Sequence, residues 1–186
     1  DLVINELESP AAVLEAVKKG SVDAGVVWTP YRKIAEDQGL KLVKFSGEVH
    51  DMENHPCCRQ VALTERIKEN PEKYEKFTAA LIKAYKFYKT NRDETIDILS
   101  KYVKIDKDIL EAETYGEHIS SNPDPNKEGV VRFWDFMKKI GYIESDDNIR
   151  IEDYINTQVY SNALNRLLKD NPDDDVYKQL KADFKE

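Results

Sequence analysis

Two short runs hold the residue types from which binding or catalysis is built. The first is Trp28-Thr29-Pro30-Tyr31. Its aromatic rings can stack on a ligand or wall a cleft, and Thr29 offers a hydroxyl. The helix N-terminus that Pro30 opens offers free N–H groups and the positive end of the helix dipole to an anion. The plainer reading is that Trp28 belongs to the core and Thr29 caps the helix. The second run is His55-Pro56-Cys57-Cys58-Arg59. Arg59 is suited to a carboxylate, sulfonate or phosphate, which a guanidinium grips with two parallel hydrogen bonds. His50, His55 and the cysteines are plausible soft metal ligands. Adjacent cysteines rarely both reach one ion, however, and the usual two-residue gap is missing, so no metal and no cofactor is expected. The cysteines read equally well as a free pair buried as small apolar residues. The candidate ligand-binding residues are therefore Trp28, Thr29, Tyr31, His55, Cys57, Cys58 and Arg59. No catalytic residue is assigned, because glycine-rich phosphate loops, GxSxG and HExxH are all absent.

Composition bounds the setting of these runs. The chain has 186 residues, with 28 basic and 36 acidic side chains and a formal net charge of −8. No basic block stands free of acids, which argues against nucleic acid as a partner. No apolar run approaches the length needed to span a bilayer. Two cysteines that are neighbours in sequence do not make a conventional disulfide framework.

The elements expected to position the two runs alternate. Leu2–Asn5 reads as an interior strand. Ser9 and Pro10 open a helix with Val13, Leu14 and Val17 on one face, and Gly20 closes it. Val22–Trp28 is a short apolar strand, Pro30 opens a helix that ends at Gly39, and Leu40–Phe45 is a third strand. Val61–Leu63 is a fourth, after a polar loop, and Thr64 caps a short helical turn. Short-loop alternation of this kind predicts an α/β fold with a short, parallel-rich sheet and flanking helices. From Pro71 the pattern becomes helical. Tyr74, Phe77, Leu81, Tyr85 and Tyr88 share one face of a helix running to about Lys89. Further helices are expected over Asp93–Tyr102, Asp106–Tyr115, Lys127–Ile140 and Ile151–Leu168. The tail after Asp170 reads as a surface helix or frayed end.

The segment AVLEAVKKGSVDAGVVWTPY, with its GxVDAxxxWxP spacing, and the later Asn70-Pro71-Glu72 opening a long helix together suggest a family. They resemble periplasmic binding proteins of the nitrate, sulfonate, taurine and thiamine-pyrimidine-precursor group. The resemblance covers roughly Leu2 to Leu168. It implies a partial periplasmic-binding-protein-like fold of type II. Residues 1–48 would be part of one α/β lobe, 49–60 a crossover, and 61–186 the mostly helical C-terminal part of the other lobe. It implies a non-catalytic solute-binding component of an ABC importer that holds a small anion or heterocycle in an interlobe cleft. The partners would be that small molecule and a membrane permease, and the setting extracytoplasmic, as a periplasmic protein or lipoprotein. A missing N-terminal half, or self-association, would complete the sheet. The alternatives are a ligand-sensing domain or an intracellular enzyme similar to a fungal pyrimidine synthase, whose cysteine-rich run lies near its active histidine.

Overall fold

The computed structural model describes residues 2–50, 52–116, 118–144 and 148–185. Asp51, within the expected crossover, and the end residues Asp1 and Glu186 of the expected lobes lie outside them. Among the described residues nine α-helices run in order: α1 Pro10–Lys18, α2 Tyr31–Asp37, α3 Thr64–Glu69, α4 Pro71–Thr90, α5 Arg92–Leu99, α6 Lys107–Thr114, α7 Lys127–Lys139, α8 Gln158–Asp170 and α9 Asp175–Asp183. Short 3-10 turns lie at Ser46–Glu48 and Ile151–Tyr154.

The expected α/β fold with a parallel-rich sheet is not what forms. Among the described residues there is no strand and no bridge, and the architecture is all-helical. The stretches 2–5, 22–28, 40–45 and 61–63 are irregular. Val26, Val43 and Val61 stand in solvent, Val61 at 92% exposure. The physical reason is that strand propensity measures the fit of a side chain to a pleated, half-buried surface. These runs have the side chains without that surface, and no ladder of N–H and C=O groups joins them.

The helix boundaries follow local chemistry. The Ser9 hydroxyl accepts from the Ala12 amide at 3.2 Å while Pro10 takes the first helical position, so α1 starts where expected. Gly20, Gly39 and Gly141 take positive φ just beyond α1, α2 and α7, the conformation a side chain penalises most. Pro71 opens α4, as its fixed φ favours. One expected helix fails at its start. Ile151–Tyr154 is a separate 3-10 turn, and α8 begins only at Gln158.

The chain divides into two compact units. The first comprises residues 1–45 and 93–119, the second 46–92 and 120–186. In the first, α2 packs on α1 and on α6, and Leu14 of α1, Ile96 of α5 and Leu110 of α6 are buried. Gly25 passes so close to α1 that a Cβ there would lie 2.4 Å from Val13 Cγ1. In the second, α4, α8 and α9 pack together. Their core is Ile82, Tyr160, Ala163, Leu164, Leu167, Tyr177 and Leu180, with Tyr85 and Phe184 at its margin. The α8 members fall at three- and four-residue spacing, one stripe of a helix. Glu75 of α4 ties α8 from outside, accepting from Asn162 Nδ2 at 2.8 Å and Arg166 Nη2 at 3.1 Å. The acidic tail, expected at the surface, supplies α9 to this core. Asp174 caps α9 by accepting from the Tyr177 amide at 3.1 Å and pairs with Lys86 of α4.

Candidate functional site

In the first unit, the Trp28–Tyr31 run leads into α2, and its chemistry is organised by a residue far away in sequence. Glu113, near the end of α6, is only 4% exposed. One carboxylate oxygen accepts from the Thr29 hydroxyl at 3.1 Å. The other accepts from the Lys33 amide at 3.0 Å and from Arg32 Nη2 at 2.9 Å. Glu113 thus satisfies one of the free amides in the first turn of α2. Arg32 also reaches Glu36 at 2.8 Å, one turn along α2. The Arg32 guanidinium lies over the Phe45 ring at 5.9 Å, and Phe45 stacks on His118 with centroids 3.7 Å apart. Arg32 Nε is buried without a hydrogen-bond partner. Of the predicted residues here, Trp28 is 66% exposed, Tyr31 is half-buried, and the Thr29 hydroxyl proton is engaged by Glu113. Trp28 is therefore not core, and Thr29 does not cap α2 through its own side chain.

In the second unit, the 52–59 turn is anchored by its histidine. His55 Nδ1 donates to the Met52 carbonyl at 2.8 Å, which leaves Nε2 facing the Ser46 hydroxyl at 3.4 Å. The imidazole lies 5.9 Å from the Phe133 ring. Asn54 takes a positive φ, and its carbonyl accepts from Asn126 Nδ2 at 2.9 Å. Asn126, also at positive φ, caps α7 by accepting from the Gly129 amide at 3.2 Å. Gly129 is needed because a Cβ there would sit 2.6 Å from the Asn54 carbonyl oxygen. Arg132 Nη2 donates to the Glu53 carbonyl at 2.6 Å. His55 is thus held in place, while Cys57 and Cys58 are exposed free thiols and not buried apolar residues. Their sulfurs lie 3.7 Å apart. Arg59 is half-buried. Its Nη1 donates to the Cys58 carbonyl at 2.7 Å, and its Nε is buried without a partner.

Asp124 shares the electrostatic surroundings of Arg59. Burial pushes its carboxyl above the usual value, against the hydrogen bond from the Asn126 amide and the attraction of Arg59. The Tyr160 hydroxyl is buried without a partner, and burial first, then the Asp124 charge, holds its proton well above the ordinary range. Sequence reading passed over Glu113, Arg32 and Asp124. Arg32 stood one residue from the run already singled out. Nothing marked Glu113 or Asp124 among 36 acidic residues.

A concavity of about 570 Å³ opens along α7, bordered by Lys127, Val131, Arg132, Asp135, Phe136 and Glu152. None of these was a predicted site residue, and their charges balance, two basic against two acidic side chains. Among the described residues no group of three or more His, Cys, Asp or Glu side chains is placed to hold a metal ion. No helix among them is long and apolar enough to cross a membrane.

The chain matches the NMT1-like family over residues 6–103. It is 25% identical over 130 residues to a protein of Brucella abortus named "Putative binding protein", an alignment covering 67% of this chain and 40% of the relative. A Brucella suis protein of the same description matches equally well. A Bacillus subtilis protein named "Putative aliphatic sulfonates-binding protein" is 27% identical over 111 residues, 60% of this chain and 32% of the relative. The chain thus spans about 40% of the length of the first of these curated relatives. No solved structure gives a significant match.

Proposed function

The chain belongs to the NMT1-like family, and from that premise we propose that it acts in solute binding for an ABC importer, without catalysis. The solute is a small oxyanion, with alkanesulfonates first, and the partner that receives it is a membrane permease. The setting is extracytoplasmic. The observation that carries this reading is the family match itself, because residues 6–103 contain every residue singled out for binding. The name of the Bacillus subtilis relative supports the sulfonate class. Within the first unit Trp28 and Tyr31 provide aromatic surface; within the second, Arg59 provides a guanidinium of the kind a sulfonate recognises.

Trp28 and Trp134 are the two tryptophans of the chain. In a Trp134→Phe variant, Trp28 is the sole indole, and its exposure makes it a reporter. Titration with taurine, short alkanesulfonates and nitrate is expected to shift its emission. The same solutes should stabilise the protein against heat, by about 2.7 kcal/mol at a hundredfold excess over Kd. Arg59→Ala should weaken sulfonate binding by about 1.5–3 kcal/mol. Neither an emission change nor a thermal shift with any of these solutes, or chemical turnover of one of them, overturns the reading.

A further inference from the structure

Cys57 and Cys58 are both exposed, both free, and 3.7 Å apart at sulfur. They lie in a tether whose two ends are held. On one side His55 is fixed by Met52, Ser46 and Phe133. On the other, the Leu63 carbonyl accepts the first bond of α3 from Ile67 at 3.1 Å. Between them, among the described residues, no backbone–backbone hydrogen bond involves 56–62. A thiol pair in contact, open to solvent and outside any backbone–backbone hydrogen bond among the described residues, meets the access and geometry that thiol–disulfide exchange requires.

We propose that Cys57-Cys58 is a reversible modification site, a vicinal dithiol that low-molecular-weight disulfides oxidise to an intramolecular ring. One cysteine of the pair, as thiolate, attacks one sulfur of the external disulfide. That S–S bond breaks, one small thiol leaves, and a mixed disulfide forms on the attacking cysteine. The other cysteine then loses its proton and attacks that cysteine's Sγ, and the second small thiol leaves as the ring closes. The two cysteine protons end on the two released thiols. The pair is oxidised by two electrons and the external disulfide is reduced by two.

The hydrogen bond between the sulfurs is the main reason the Cys57 thiol keeps its proton above the usual pKa, and either sulfur can donate in that contact, so the geometry allows either cysteine to attack first. The charge of the nearby Arg59 works the other way at Cys57, favouring its thiolate, but is outweighed by the sulfur–sulfur bond and burial. The ring is easily reopened. Consecutive Cα atoms across a trans peptide are about 3.8 Å apart, shorter than the roughly 4.4–6.8 Å that unstrained disulfides span. Strained, exposed disulfides have the more oxidising potentials. The modification does not depend on which solute the protein carries.

The test is intact-mass analysis of the folded chain after exposure to oxidised glutathione. The expected product is lighter by about 2 Da, with no adduct, and returns to its starting mass with a reductant. Cys57→Ser and Cys58→Ser should each instead retain one glutathione as a stable adduct, since neither has a second thiol to expel it. A wild-type chain that keeps glutathione, forms disulfide-linked dimers, or stays unchanged while the single variants are modified overturns the proposal.

Discussion

Glu113 gathers a hydroxyl, a backbone amide and a guanidinium on one carboxylate, so its removal is expected to be felt at all three. Taking one partner from a buried ion pair leaves the other charge uncompensated, which typically costs about 3–5 kcal/mol. Arg32 keeps Glu36 as a second partner, so Glu113→Ala should lie near the lower end, about 3 kcal/mol in urea unfolding. Thr29→Val removes only one hydroxyl donor and should cost about 1 kcal/mol. Equal losses for the two variants would show that the ion pair contributes nothing beyond the hydroxyl bond. Asp124 has a pH signature of the opposite sign from most carboxylates. Its folded pKa is raised above the ordinary 3.8 by burial. The folded state therefore binds the proton more tightly than the unfolded one. Stability should fall as pH rises from 3.8 through the raised value, then level off. Asp124→Asn keeps an oxygen for the Asn126 amide and should remove that fall. Denaturant midpoints of both proteins from pH 3 to 7 check it, and parallel curves would exclude Asp124 as the source. At this scale the sequence showed Trp28, Thr29 and Arg59 as unusual residues but could not show what each touches. Thr29 and Glu113 are 84 positions apart, and only tertiary packing brings them together.

Helix ends were the most legible elements, because their signals are local. Ser9 with Pro10, Pro71, and the glycines at 20, 39 and 141 each act within a turn of where they stand. The apolar runs at 22–28 and 40–45 were misread for the same reason in reverse. A strand is defined by its neighbour, and side-chain type does not report whether one is present. The tail reads as a surface helix or frayed end because Asp173-Asp174-Asp175 looks like solvated surface, and its buried face goes unseen. Asp174 in fact caps α9 and delivers Tyr177 and Leu180, 3% and 2% exposed, to the core. Leu180→Ala should therefore cost about 2–5 kcal/mol, and Asp174→Ala about 1–2 kcal/mol through the lost cap. Thermal or urea melts measure both. A loss below 0.5 kcal/mol for Leu180→Ala, the range of ordinary surface changes, would mean that α9 is peripheral after all.

For the whole molecule, the apolar side chains left in solvent carry a consequence. Leu2, Val3, Ile4, Val26, Val43 and Val61 are all exposed, and large uncovered apolar surface is unusual on a monomer. The isolated chain is expected to self-associate, with a light-scattering mass that rises with concentration above the monomer's 21.5 kDa. Val26→Lys with Val61→Lys should reduce that rise. A constant monomer mass across the concentration range would show that these side chains drive no association.

Neither compact unit is a continuous stretch of chain, since the backbone passes from one to the other after residues 45, 92 and 119. On the ribosome, where residues emerge in order, the first unit must hold residues 1–45 unfinished while all of 46–92 is made and until 119 appears. Its closing contacts are therefore non-local, the kind that slows folding and prolongs exposure of apolar surface. No single cut in the gene separates one intact unit from the other. A fragment ending at residue 92 would contain the candidate residues from Trp28 to Arg59 and yet lack Glu113, the carboxylate that holds Thr29 and Arg32 in place.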